Sequence, residues 1–423
     1  MSIAVMSLIA LVLVFVICAF VPINVGTLAF AFTFIIGIVI GKLKLVEVLA
    51  GFPTDLFILL GGVSYMFAIA QINGTMSRIT SACLKLIRGN VALIPWIFHL
   101  IAIFISAIGA GPAVTTTLLA PIAMQVTAEA GISPLLVGVM LVHGSHGGSY
   151  SPVSPMGVIA NGAVAKAGLP DLSWTLFLNS LVFNILIAVA VYLLFGGLKL
   201  IRRSREEVMS DKLKALMETG SEQPLTFQQQ ATLAGIAALF VMGLGFKYHV
   251  GFSAFTIGVI LTLLAPKEER KAVEQMAWPT IIMIAGILTL VGLMAKVGAI
   301  DLIARGIGQV ATPLTAPLLL AGAGGVISLY SATGAVLAAL IPMVPAVLAA
   351  VGGGNAAGAV SSLVIASSVV DTSPLSIQGA MLLASVKNMD RNTFFKQLLL
   401  WGIAMIFVGT VLSWLIFVVI GLP

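Results

Sequence analysis

The chain has 423 residues, of which 60% are hydrophobic and 9% are charged, and its formal net charge is +6. A soluble domain carries about 25% charged residues and cannot bury this much apolar surface, because surface area shrinks too slowly with size. The composition therefore excludes a soluble enzyme, a disordered protein and a disulfide scaffold, and it predicts a polytopic membrane protein.

Apolar segments long enough for membrane helices follow one another along the chain, since a crossing needs about 20 apolar residues. Met1–Phe20 lacks a basic start and a small-residue cleavage site, so we interpret it as the first span and not as a signal peptide. Further segments in the first half are 24–41, 55–71, 91–108, 114–126, 133–142, 153–165 and 174–198. Those in the second half are 231–245, 253–264, 280–295, 317–329, 335–350, 359–369, 375–386 and 394–420.

Several of these segments are too short to cross a bilayer alone. We expect residues of about 91–128 and 313–350 to form two re-entrant helical hairpins. We interpret about 133–165 and about 357–386 as crossings that are each broken in the middle. Broken backbone at membrane depth occurs only where it faces protein or a water-filled cavity, so each break is a candidate site.

The two halves of the chain resemble each other. Ser151–Gly157 and Ser373–Gly379 share the pattern S-P-x-S-x-x-G at an offset of 222 residues. Chance similarity between apolar sequences is the competing interpretation. Two repeats of five crossings and one hairpin each would insert in opposite orientations, which is a plan found in secondary transporters. We therefore predict an N-terminal repeat, a cytoplasmic linker and an inverted C-terminal repeat at 1–198, 199–227 and 228–423.

The basic residues are unevenly divided between the two sides that this topology predicts. Cytoplasmic loops carry the excess of Lys and Arg, so the richer side should be the cytoplasm. With the N-terminus outside, only these lie on the other side: Lys42, Lys44, Lys166, Lys247, Lys296 and Arg305. We expect both termini in the periplasm of a bacterial inner membrane, and no basic residue in the membrane core.

Small and hydroxyl residues dominate the hairpin tips and the breaks, which we place at about His143–Pro152 and Ser367–Pro374. A helix restarts after each, and helix N-termini attract anions. Close helix packing is the other interpretation of such stretches. The predicted substrate-binding residues are Gly111, Pro112, Ala113, Thr115, Thr116, His143, His146, Ser149, Ser151, Ser331, Ala332, Thr333, Gly334, Thr372 and Ser373.

Asp371 is an ionisable residue inside a predicted span, which is a functional hypothesis by default, although it could also cap the restarting helix. No basic residue is predicted nearby to balance an anionic substrate, so cotransported cations are the expected neutralisers. Unwound carbonyls and side-chain oxygens suit Na⁺. The predicted Na⁺ ligands are Gly109, Gly147, Gly148, Ser331, Asp371 and Ser376. Protons on His143, His146 or Asp371 are the alternative, since His titrates near neutrality.

Other site chemistry has less support in the sequence. Two histidines do not complete a zinc site, which needs three or four ligands. Cys18 and Cys83 do not indicate a disulfide or a metal centre. Ser145 and His146 are adjacent, which is poor geometry for a nucleophile and its base, so an intramembrane enzyme is disfavoured. We expect no cofactor other than the coupling ion.

Phe20–Gly26 and Leu49–Leu56 resemble the malonate/dicarboxylate carrier family. The overall plan resembles the ion transporter superfamily, which includes the divalent anion/sodium symporters. Those symporters carry Ser-Asn-Thr at each tip, whereas this chain has Ser331-Ala332-Thr333 and Gly109-Ala110-Gly111-Pro112. The resemblance implies an all-α elevator-type homodimer that carries a C3–C4 dicarboxylate such as malonate with Na⁺.

The sequence therefore predicts a secondary active transporter for cation-coupled symport of a small dicarboxylate. An inorganic-ion carrier of the same plan, such as a Na⁺/H⁺ antiporter or an oxyanion exporter, is the alternative, as is proton-coupled dicarboxylate symport. An antiporter should use more carboxylates in the membrane than the single Asp371.

Overall fold

The described residues of the computed structural model are 2–21, 23–84, 90–203, 224–246, 248–329, 332–387 and 389–422. The first half contains α1 Ile3–Phe20, α2 Val25–Thr33, α3 Leu45–Leu49, α4 Thr54–Ile72, α5 Thr75–Leu84, α6 Ile94–Ile105, α7 Gly111–Ala130, α8 Pro134–Ser149, α9 Pro155–Lys166, α10 Ser173–Leu194 and α11 Gly197–Arg203. The second half contains α12 Phe227–Phe240, α13 Val250–Leu264, α14 Glu269–Glu274, α15 Trp278–Lys296, α16 Ala299–Gly308, α17 Thr315–Ser328, α18 Thr333–Leu340, α19 Val344–Ala350, α20 Ala356–Ser368, α21 Ile377–Ser385 and α22 Arg391–Trp414.

The chain is all-helical over the described residues, as predicted. Within the described residues, seven helical stretches are long and apolar enough to cross a membrane, or eight if the bent pair Val250–Leu264 and Pro266–Glu274 is one span. The prediction of a polytopic membrane protein is confirmed at this level. Most of the predicted linker, residues 204–223, lies outside the described part of the chain.

Two close helix crossings join the halves of the chain. Helix α2 packs on α15, where a Cβ on Gly286 would lie 2.1 Å from the carbonyl oxygen of Gly26. Helix α4 packs on α13, where a Cβ on Gly62 would lie 2.0 Å from the carbonyl oxygen of Gly251. Small residues let helix backbones approach closely in membranes. Each half thus contributes one glycine-bearing helix to each crossing.

The first hairpin is formed by α6 and α7, and its direction follows from the contacts of both helices with α8. A Cβ on Gly148 would lie 2.1 Å from the Ile103 carbonyl oxygen, and one on Gly144 would lie 2.3 Å from that of His99, so α6 runs parallel to α8. Gly138 lies beside Met124, near the far end of α7. Helix α7 therefore runs back antiparallel to α6.

The second hairpin is formed by α17 and α18. A Cβ on Gly324 would lie 2.6 Å from Leu363 and 3.7 Å from Leu340, whereas the Ser328 and Thr333 hydroxyls lie 2.7 Å apart at the turn. The end of α18 thus packs back along α17. Tyr330 and Ser331 of this tip lie outside the described residues.

The position predicted for the first break is wrong. Helix α8 remains helical through His143 to Ser149, and the interruption covers only Tyr150–Ser154. The glycines that suggested unwinding instead let α8 pack on the backbone of α6. In the second half, a short helical turn over Val369–Thr372 leads to an interruption that ends at Ser376, before α21 begins.

An ion pair connects the end of α15 to the short helix α3. Lys296 Nζ donates to Glu47 Oε1 of α3 at 2.9 Å. This hydrogen bond holds the pKa of the Glu47 carboxyl below its usual range.

We predict that Gly62→Ala destabilises the protein because the new methyl group meets the Gly251 carbonyl at the α4–α13 crossing. Overpacking of this kind costs roughly 1–3 kcal/mol. Melting in detergent, followed by size-exclusion chromatography, should show a lower midpoint. Gly306→Ala, at an exposed position of α16 where a Cβ would meet nothing within 4 Å, should not lower it. Equal melting of both variants would contradict the close crossing.

Candidate functional site

A cavity of about 330 Å³ lies where the hairpins, the breaks and the helices α4 and α15 meet. The first turns of the four helices that follow the hairpin tips and the breaks, α7, α9, α18 and α21, line it, as do the first turns of α2 and α15. Among the described residues that line it there is no Lys or Arg. Helix N-termini provide free N–H groups and partial positive charge. The cavity can therefore attract negative charge without a basic side chain.

Glycine conformation shapes the first hairpin tip. Gly109 has a φ of 118° and Gly111 a φ of 75°, values that other residues rarely adopt. A Cβ on Gly109 would lie 2.5 Å from the Phe67 ring of α4. The start of α7 therefore reaches the cavity because both of these positions are glycine.

Asp371 lies at the cavity wall, and the residue as a whole is 7% exposed. Thr333 Oγ1 lies 2.8 Å from each carboxylate oxygen, so the second hairpin tip contacts the second break directly. His146 Nε2 of α8 lies 3.3 Å from Oδ2. The Ser376 hydroxyl donates to the Asp371 backbone carbonyl. These contacts place the Thr333 hydroxyl and the His146 ring beside the carboxylate and the Ser376 hydroxyl beside the Asp371 backbone.

Gln378, in the first turn of α21, joins the two halves of the site and was missed by the sequence analysis. Its Oε1 accepts from Thr116 Oγ1 of α7 at 2.9 Å and from Ser145 Oγ of α8 at 2.8 Å. Its Nε2 lies 2.7 Å from His146 Nε2. The only sequence signal was its place in the second S-P-x-S-x-x-G motif, where the first copy has Met156.

The two histidines of α8 have different surroundings. His143 Nδ1 lies 2.9 Å from Asn184 Oδ1, and its Nε2 accepts from Trp401 Nε1 at 3.3 Å. Both ring nitrogens are thus engaged away from the cavity, and His143 is a packing residue here. His146 instead contacts two groups that line the cavity, Gln378 and Asp371.

The remaining predicted residues divide by position. Those that line the cavity are Gly111, Pro112, Ala113, Ala332, Thr333, Gly334, Asp371 and Ser376. Those that are buried behind it are Thr115, Thr116, Ser149, Ser151, Thr372 and Ser373. Ser331 lies outside the described residues. Of the predicted Na⁺ ligands, Gly147 and Gly148 are helical and pack on Ile103, so their carbonyls are not unwound.

Comparison with known proteins fits this architecture. Residues 1–149 match the family model described as the N-terminus of the dicarboxylate carrier protein MatC. The N-terminal third of the chain thus resembles the dicarboxylate carriers, as its motifs predict. No curated protein matches the sequence significantly.

A solved structure shares the fold of almost the whole chain. The YdaH transporter of Alcanivorax borkumensis aligns with a TM-score of 0.60 and 13% sequence identity, over 89% of this chain and 88% of that one. At this identity the likeness concerns the fold alone. The N-terminal third therefore resembles a carrier, and the fold of the whole chain is one that a transporter also has.

We predict that Gln378→Leu destabilises the protein, because the Thr116 hydroxyl and the His146 ring lose a buried partner. Such a loss costs about 1–3 kcal/mol. The melting midpoint in detergent should fall, whereas the same change at exposed Gln230 should leave it nearly unchanged. If both variants melt like the wild type, Gln378 does not join the two halves.

Proposed function

We propose that the protein is a secondary active transporter that moves a small dicarboxylate, such as malonate, together with a cation. The observation that supports this most is the convergence of four helix starts on a cavity whose described lining has a carboxylate but no Lys or Arg. The resemblance of residues 1–149 to a dicarboxylate carrier supports a dicarboxylate as the substrate class.

The charges of the site favour obligatory coupling. A dicarboxylate brings two negative charges to a cavity that already holds Asp371, and each helix start supplies at most about half a positive charge. Charges buried without partners are costly in a membrane protein. A cation between Asp371 and the substrate would offset this cost, so substrate and cation should stabilise each other.

Na⁺ is the cation that the donor set suits best. The Asp371 carboxylate, the Thr333 hydroxyl and the Ser376 hydroxyl are hard oxygen donors within one cluster. A proton shared with His146 is the second candidate, because its Nε2 lies 3.3 Å from Asp371.

The architecture suits transport by a moving unit. The two glycine crossings, α2 on α15 and α4 on α13, would form the fixed part of two inverted repeats. The hairpins and broken helices would move as one elevator unit, since Gln378 and Thr333 bond across them. A homodimer in a bacterial inner membrane, with periplasmic termini, completes the proposal.

Uptake of labelled malonate into proteoliposomes, with and without an inward Na⁺ gradient, tests this function. The wild type should concentrate malonate only with a cation gradient. Asp371→Asn should reduce gradient-driven uptake by about tenfold or more, which corresponds to about 1.4 kcal/mol of lost stabilisation. The matched change Asp301→Asn, in α16 outside the cavity, should not reduce it.

Two results would contradict the proposal. Equal uptake without any cation gradient would exclude coupling. Movement of Na⁺ or protons with no response to dicarboxylates would instead indicate the inorganic-ion carrier.

A further inference from the structure

The polar side chains that line the cavity come mostly from one half of the chain. Thr333, Asp371, Ser376 and Gln378, at the second hairpin tip and the second break, all line it, although the apolar Leu375 and Ile377 line it there too. At the offset of 222 residues, the first half has Gly111, Ser149, Ser154 and Met156 in their places, and Ser154 is fully buried. Gly111 lacks a side chain, Ser149 is turned to the carbonyl of its own helix, and Met156 is apolar.

The backbone strengthens this difference. Pro112 and Pro155 stand in the first turns of α7 and α9, and proline has no N–H group. The corresponding turns of α18 and α21 begin with Thr333 and Ile377, which keep their N–H groups. The side of the cavity lined by α7 and α9, the first-half side, therefore offers fewer hydrogen-bond donors to a ligand than the second-half side, lined by α18 and α21.

Apolar side chains continue the wall beside those prolines. Val114, Met156 and Ile159 belong to α7 and α9, and Leu60 and Met283 extend the wall on α4 and α15. Two hydroxyl side chains, one on α4 and one on α15, interrupt this apolar wall. Ser64 Oγ donates to the Gly61 carbonyl of its own helix, and Thr280 lies in the first turn of α15.

We infer that the site selects dicarboxylates whose two carboxylates lie close together and whose remaining part is apolar, such as malonates substituted at C2. The inference rests on the proposed function and narrows its substrate class. Both carboxylates of a malonate can face the second-half side, with the coupling cation between them and Asp371. The C2 substituent then points to the wall around Met156.

An extended dicarboxylate fits this arrangement poorly. With one carboxylate of succinate at the second-half side, the other would face the apolar wall and lose hydration without gaining donors. Each methylene of a C2 substituent that the wall buries should tighten binding about fourfold. Butylmalonate should therefore bind at least about tenfold more tightly than malonate, and succinate more weakly.

Inhibition of labelled malonate uptake, together with ligand-induced shifts of the melting midpoint in detergent, tests the inference. The panel is malonate, ethylmalonate, butylmalonate, succinate and hexanoate, all at a fixed saturating Na⁺ concentration. From the tightest to the weakest binding, the expected order is butylmalonate, ethylmalonate, malonate, succinate. Met156→Gln introduces the residue found at the corresponding position 378. It should reduce the ratio of the succinate dissociation constant to the butylmalonate dissociation constant by about tenfold. Met156→Leu keeps an apolar side chain and should leave the order of affinities as in the wild type.

The outcomes separate the two proposals. If malonate is transported but butylmalonate binds no better and Met156→Gln changes nothing, the inference is wrong and the proposed function stands. If hexanoate binds while no dicarboxylate does, the proposed function is wrong, but the cavity still binds an apolar group beside a carboxylate. If neither the dicarboxylates nor hexanoate shift the melting midpoint, the proposed function and the inference are both contradicted.

Discussion

The constraint on which the site depends is one buried carboxylate with no Lys or Arg among the described residues that line its cavity. Asp371 lies at the wall of the cavity, bonded to Thr333 and close to His146, and the described lining has no Lys or Arg. Four helix starts supply positive potential from the backbone, but this is diffuse and partial. An anion and a cation can thus each lower the cost of binding the other, which is the physical basis of symport in the proposal.

Around this charge, glycines set the positions of the helices. At Gly26 with Gly286, and at Gly62 with Gly251, backbones touch and join one half of the chain to the other. Within the hairpins and breaks, Gln378 and Thr333 make the links, through hydrogen bonds that cross between elements.

Composition and apolar segment length were enough to predict an all-helical membrane protein, because both follow from the bilayer itself. The placement of Asp371 beside a helix restart could also be anticipated from its Ser-Pro context. The extent of the first break could not. Glycines that unwind a helix and glycines that let it pack closely look alike in sequence, and only the position of α6 distinguishes them. Gln378 was missed because its partners lie more than 200 residues away in the chain.

The most direct test is a cryo-electron microscopy structure with malonate and Na⁺ bound, at a resolution that shows side chains. We expect ligand density inside the cavity, carboxylates facing the first turns of α18 and α21, and an ion between the ligand and Asp371. No Lys or Arg should lie within hydrogen-bond distance of the ligand. Malonate held by a basic side chain, or bound away from the helix starts, would contradict a site that binds its anion through backbone and cation alone.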